Sequence, residues 1–287
     1  MMNNGSALDQ VEIYQFAQIE DPPPLPQALQ HLIEIIRDEI ASARELESIL
    51  RYDQSLSARV LRIANSAFYG QRSQVTTLSR AITIIGYYRV RAICLSSLLI
   101  EFFSSPTSLD ALQKESLWKH AFATARIASE IADKRPWISR EQAYILGLLH
   151  DLGRVIMAVH FSRHFRAIQN MAKSWKVPMW WAENHYGLTH TQTGKWAAVK
   201  WAFPMLFQEI MEFHHRPNTA PSNAPEVKMI NLADVLAHSR EYPQSVNNDC
   251  TMLLCKELFI TEDEWSLHQD RLNEIWPEVD QLWELLK

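Results

Sequence analysis

The chain has 287 residues, room for one large domain or two ordinary ones with an adequate core. Its net charge of −5 gives no general attraction to nucleic acid. The sequence also shows neither an apolar leader with a cleavage site nor a run of 18 apolar residues, so secretion and a membrane span are not expected and a cytoplasmic protein is. Apolar residues make up 47% of the chain against only 7 glycines, and long segments repeat at the 3.6-residue period, which together predict an all-α fold. The cysteines Cys94, Cys250 and Cys255 are odd in number and match no zinc-finger spacing; they read as reduced core residues.

In chain order, residues 1–20 carry little signal, and DPPPLP over residues 21–26 is a stiff extended segment that cannot be helical. Helices are predicted over Gln27–Ile40, then from a capping box of Ser42 with Glu45 to near Asp53, and over Ser55–Ala67. After a loop, FYGQRSQ, come Thr77–Ile85, closed by Gly86, and Tyr88–Phe103. Residues 104–108, with Pro106, read as a subdomain boundary. Between Gln54 and Ile100 stand Arg59, Arg62, Arg72, Arg80, Arg89 and Arg91 with no Asp, Glu or Lys, so this segment is +6 and the remainder −11. Helix, glycine, helix can form a DNA-binding unit, but such pairs are common packing units. Docking of this basic half onto the acidic half, or onto an acidic partner, is the expected use.

The second half predicts helices over Leu117–Ala132, Glu141–Val159, His164–Trp175, Met179–Tyr186, Thr189–Trp201, Phe203–His215 and Val227–Ser239. Residues 143–159, AYILGLLHDLGRVIMAV, read as one buried helix and its continuation, apolar nearly all round, with His150 and Asp151 at the centre. An ionisable pair placed there must find partners. Glu183 and His190 would share a face only if a helix ran unbroken through Gly187. In the tail, Thr261 with Glu264 forms a second capping box, and Pro277 is expected to kink or restart the last helix. The tail is expected to pack on the domain's own surface rather than recruit a partner.

His120, His150, Asp151, His190, His214, His215 and Asp234 each fall on or at the end of a predicted helix. Imidazole plus carboxylate suits iron, manganese, zinc, nickel or cobalt better than calcium or magnesium, and two ions are expected if Asp151 bridges them. Such ions would clamp phosphate oxygens and favour phosphoester hydrolysis, with His150 and Asp151 at the reacting centre. Arg154, one turn after His150, is positioned to contact a phosphate.

Residues 25–237 resemble an HDOD domain, a relative of the HD-type metal-dependent phosphohydrolases. The resemblance is carried by PPLP, ELESILRYDQSLSARVLRIANSAFYG, AITIIGYYRVRAICL, LWKHAFATARIA, GLLHDLGRV, HTQTGKWAAVKWAFP and HHRP. It implies an N-terminal helical bundle packed on an HD-like helical domain, divided as a tail over 1–21, a bundle over 22–106, an HD-like part over 107–240 and a C-terminal extension over 241–287. His120, His150, Asp151 and Asp234 match the ligand positions of active HD enzymes, and His190, His214 and His215 resemble the added histidines of the cyclic-dinucleotide phosphodiesterase branch. That branch has a Gly-Tyr-Pro motif where this chain reads RPNTAPSNAPEV, a Glu where it has Ser116, and a Lys where it has Arg154. The resemblance therefore implies a bacterial signalling or regulatory module that acts through a protein partner or a second copy of itself and retains a metal site. The alternative is a metal-dependent phosphohydrolase acting on an unknown phosphoester or nucleotide.

Overall fold

The computed structural model describes residues 22, 24–37, 43–102, 111–240, 243, 246 and 248–286. Among these residues every regular element is helical, as the 3.6-residue periodicity predicts. The Ser42–Glu45 box, the 104–108 boundary and residues 1–20 lie outside the described residues. Contacts divide the chain into two units, Pro24–Ser105 with Pro277–Lys287, and Pro106–Trp276 with Met1–Pro23.

The smaller unit contains α1 (Gln27–Arg37), α2 (Ala43–Tyr52), α3 (Gln54–Ala64), α4 (Leu78–Ile85) and α5 (Tyr87–Phe102). Leu29, Leu32, Leu46, Leu50, Leu56, Ile63, Leu95 and Leu99 are among its most deeply buried side chains. Asp53 starts α3 by accepting hydrogen bonds from the backbone N–H groups of Ser55 and Leu56, both at 3.0 Å. Asn65 then ties the end of α3 to the following loop: its Oδ1 accepts from Val75 N–H at 2.7 Å and its Nδ2 donates to Val75 C=O at 2.9 Å. Gly86, at φ 93°, separates α4 from α5, whose axes differ by 106°.

The larger unit holds α6 (Ala111–Ala132), α7 (Arg140–Leu149), α8 (Leu152–His160), α9 (Ser162–Trp175), α10 (Met179–Tyr186), α11 (His190–Lys200), α12 (Met205–Phe213), α13 (Ala224–His238), α14 (Asp249–Glu257) and α15 (Glu262–Asp270). Helix α6 packs against α7 and α13, and α11 against α8 and α12. Met157, Phe161, Phe165 and Ile168 form a buried apolar cluster with Ala182 and Leu188. Two glycines set how closely these helices approach. A Cβ on Gly147 would stand 2.7 Å from Ala125 Cα on α6, and one on Gly153 would stand 1.9 Å from His190 C=O on α11.

Several expectations change. The predicted single helix through residues 143–159 is two helices, α7 and α8, with His150 and Asp151 in the turn between them. The reason is local: His150 keeps helical angles but Asp151 moves to φ −99°, ψ 16°, and Arg154 N–H bonds Asp151 C=O at 2.9 Å, one residue tighter than an α-helix allows. The segment Arg140–His160 is long and apolar enough to cross a membrane, yet 83% of its most apolar 18 residues is buried within the protein. Cys250 is exposed, unlike the buried Cys94 and Cys255. The last helix, α16 (Leu272–Leu286), runs through Pro277, and the break falls earlier, at Arg271. Pro277 has no N–H to give the Asn273 carbonyl four residues earlier, so that bond of the helix is absent while the helix continues. Trp265, Ile275, Val279, Trp283 and Leu286 are buried and pack, whereas Leu253, Phe259 and Leu267 of the same tail are exposed.

Candidate metal centre

The His150–Asp151 turn lies where α6, α11, α12 and α13 converge. His120 comes from α6, His190 from the first position of α11, His214 and His215 from the end of α12, and Asp234 from α13. All seven sequence candidates fall into one cluster, as overlapping sets of potential ligands: Asp151 with His190, His214 and His215; His120 with His150 and Asp151; and His120 with Asp234 and His238. The Asp151 carboxylate stands at the junction. Its Oδ1 is 3.3 Å from His190 Nε2 and 3.6 Å from His214 Nε2. Its Oδ2 is 3.5 Å from His150 Nε2 and 3.6 Å from His120 Nε2. Asp234 Oδ1 closes the second side at 3.0 Å from His120 Nε2 and 3.6 Å from His150 Nε2.

The tautomers follow from the outer hydrogen bonds. His150 Nδ1 faces Gly147 C=O at 2.7 Å and His214 Nδ1 faces Ile210 C=O at 2.9 Å; a carbonyl only accepts, so both Nδ1 atoms carry the proton. His190 Nδ1 donates to Glu183 Oε2, which also accepts the His190 backbone N–H at 2.9 Å. In the neutral rings three Nε2 lone pairs therefore point inward at carboxylate oxygens and at each other, with His190 and His214 Nε2 only 3.1 Å apart. Acceptors facing acceptors repel. His150 Nε2, Asp151 Oδ1 and His215 Nε2 are buried without a hydrogen-bond partner, and such orphans call for a bound ion or water as partner. Donors bound at about 2.0–2.1 Å to one ion lie roughly 3.0–3.4 Å apart, close to these spacings. Nitrogen and carboxylate donors of this kind fit Fe, Mn, Zn, Ni or Co, and outer partners that fix each ring are the usual support of such a site.

The electrostatics favour neutral imidazole at His120, His214 and His215, whereas Asp151 and Asp234 raise His150 against its burial. Burial, with His238 alongside, pushes His120 down to about 3, and burial also lowers His214 and His215. Burial works against the Asp151 anion, but Arg154 and the His150 and His190 rings hold its carboxyl well below the usual range. Asp234 is lowered likewise, against its own burial, by His238, His120 and His150. Arg154 lies inside the cluster at 4% exposure. Its Nη1 contacts Asp151 Oδ2 and its Nε is 3.8 Å from Glu183 Oε1.

Two residues of this arrangement, Glu183 and His238, are not among the sequence candidates. Glu183 reaches His190 because Gly187, at φ 79°, breaks the helix and turns the start of α11 back onto the carboxylate. The unbroken helix expected as the condition for that pairing is not what joins them. His238 donates from Nδ1 to Asp234 Oδ1 at 2.9 Å, and its place four residues after Asp234 on one helix was the available signal. Trp180 stacks on His215, with ring centroids 5.2 Å apart.

An all-helical unit with a buried His-Asp pair at its centre, ringed by further histidines and a second aspartate, defines an HD-type protein. The HDOD domain model matches residues 23–217, and the chain belongs to the HDOD family. Among solved structures, an HDOD domain protein of unknown function from Geobacter sulfurreducens superposes with a TM-score of 0.79 at 22% identity, covering 96% of this chain and 97% of that one. A protein provisionally described as a phosphohydrolase, from Shewanella amazonensis SB2B, gives 0.73 at 21% identity over 98% of both chains. At these identities the likeness is one of fold. A curated relative, an uncharacterized protein of Treponema pallidum (strain Nichols), is 22% identical over 210 residues, 71% of this chain, and the chain spans 39% of that relative's length.

Proposed function

We propose that this chain is a bacterial regulatory module that acts through a protein partner, and that its seven-residue cluster holds divalent transition metal as a structural or ligand-sensing centre. The observation that carries the reading is the position of Arg154. A residue that greets an incoming phosphate needs access, whereas this guanidinium is 4% exposed, with Nη1 engaged by Asp151 and Nε and Nη2 buried without a hydrogen-bond partner. A buried charge already paired in this way holds the site together, and moving it would be costly. The partner-binding half of the proposal draws support from Arg62, Arg72 and Arg80, which are exposed and have no acidic partner among the described residues.

A divalent ion in this cluster would supply Lewis acidity toward a phosphoryl oxygen. His190, His214 and His215 would hold it together with Asp151, with Glu183 and Ile210 fixing the rings of His190 and His214. The second reading, a metal-dependent phosphohydrolase, is favoured by one feature, the two oxygens of Asp151 facing separate histidine groups. Elemental analysis of protein purified without chelator or tag nickel, beside Asp151→Ala, tests the centre: near-stoichiometric metal in the parent and none in the variant is expected. The loaded protein is then assayed against phosphomonoesters, phosphodiesters and nucleotides. Turnover that Asp151→Ala abolishes would replace the module reading with the hydrolase.

A further inference from the structure

Arg154 also bears on how many ions the cluster accepts. Its charged neighbours are Asp151, Glu183 and Asp234. With ligand imidazoles neutral, three carboxylates and one guanidinium leave a buried net charge of −2, which one divalent ion cancels. A second would leave +2 in a dry site, where uncompensated charge is strongly disfavoured. The geometry breaks the symmetry between the two sides of Asp151. Arg154 Nη1 lies on Oδ2, the oxygen facing His120 and His150, whereas Oδ1, facing His190 and His214, has no hydrogen-bond partner.

Resting on the metal-centre reading above, we infer that Arg154 is a built-in counter-cation that limits the cluster to one ion. That ion is held on Asp151 Oδ1 by His190, His214 and His215, and the His120–His150–Asp234 side stays closed to a second. Removing the charge at position 154 opens that side; keeping the charge keeps it shut.

The test is equilibrium dialysis of the full chain against Mn²⁺, read together with the electron paramagnetic resonance of the bound ion. Wild type and Arg154→Lys are expected to saturate at one ion with the spectrum of isolated Mn²⁺. Arg154→Gln is expected to take two, with exchange-coupled features. His190→Ala is expected to lose the wild-type ion and His120→Ala to retain it. Two ions in wild type, one in Arg154→Gln, or loss of the ion from His120→Ala with retention in His190→Ala would each overturn the inference while leaving a metal centre in place. No bound ion in wild type would overturn the centre itself. Should Arg154→Gln not fold, the wild-type stoichiometry and the two histidine variants still decide.

Discussion

One carboxylate oxygen of Glu183 accepts both the backbone N–H of His190, at 2.9 Å, and its ring Nδ1–H. The same contact caps α11 and fixes which ring nitrogen faces Asp151. Glu183→Gln keeps the shape but removes the charge that holds the imidazole in this tautomer. Outer-sphere partners of this kind are typically worth about 10–100-fold in metal affinity. Calorimetric titration of the variant with Mn²⁺ or Zn²⁺ should show weakening in that range with the fold intact by circular dichroism; unchanged affinity would remove Glu183 from the centre.

Gly153 supplies the close approach of α8 to α11. A methyl group there would meet His190 C=O at 1.9 Å, which is backbone and cannot rotate away, whereas one on Gly194 would meet Met211 Cβ at 3.3 Å. Overpacking of a tight core costs roughly 1–3 kcal/mol and more when backbone must move. Gly153→Ala should therefore lower stability by about 3 kcal/mol or more and displace His190 enough to abolish metal uptake. Gly194→Ala should cost about 1 kcal/mol or less. Equal denaturation midpoints for the two variants would contradict this account.

Much of this was legible because helical periodicity survives burial on one face. Residues such as Leu29, Leu32 and Leu56 mark their helices by spacing alone, and His120, His150, His190, His214 and Asp234 each fall on or at the end of a predicted helix. The break at His150–Asp151 was not legible, since a segment apolar on every side carries no period to interrupt. Thr261 caps α15 as its sequence suggested, its hydroxyl accepting Glu264 N–H at 3.2 Å. The complete capping box, at Thr189 and Gln192, lies at the start of α11, where only a helix beginning was read. The pairing of Glu183 with His190 needed the three-dimensional turn at Gly187, and the inward direction of Arg154 depends on carboxylates brought from two segments of the chain.

The metal-free centre should make folding acid-sensitive in a defined window. His120, held down to about 3 chiefly by burial, and His214 and His215, lowered by burial, all take protons in the unfolded chain below the ordinary histidine range but not in the fold. The unfolded state then binds more protons, so stability is present above about pH 6.5 and is lost as the pH falls, by up to about 1.4 kcal/mol per pH unit for each histidine. His150 and His238 are raised against their burial by Asp151 and Asp234, respectively; protonated in both states below that range, they add no slope there. Asp151 and Asp234, both lowered, keep their contribution until the pH approaches about 4. Urea denaturation of chelator-treated protein should show a falling midpoint between about pH 6.5 and 5. A flat profile would mean that the buried histidines take up protons without cost to the fold.

The basic segment of the smaller unit makes a separate prediction, because its arginines are not equivalent. Arg91 is 7% exposed and lies over the rings of Tyr87 and Tyr88, 5.7 and 5.3 Å from their centroids, so it serves packing. Arg62, Arg72 and Arg80 are exposed, and Arg80 reaches Ser73 Oγ at 3.2 Å, beside Arg72 in the loop that Asn65 anchors. If this face recognises acidic protein surface, a fluorescent poly-glutamate peptide should bind wild type at low salt and dissociate as salt rises. Changing Arg62, Arg72 and Arg80 together to Glu should abolish that binding while leaving the unfolding free energy within about 0.5 kcal/mol, as exposed substitutions generally do. Arg91→Ala should do the reverse, lowering stability and leaving the peptide affinity in place. Binding that survives the triple reversal would place any partner surface elsewhere on the chain.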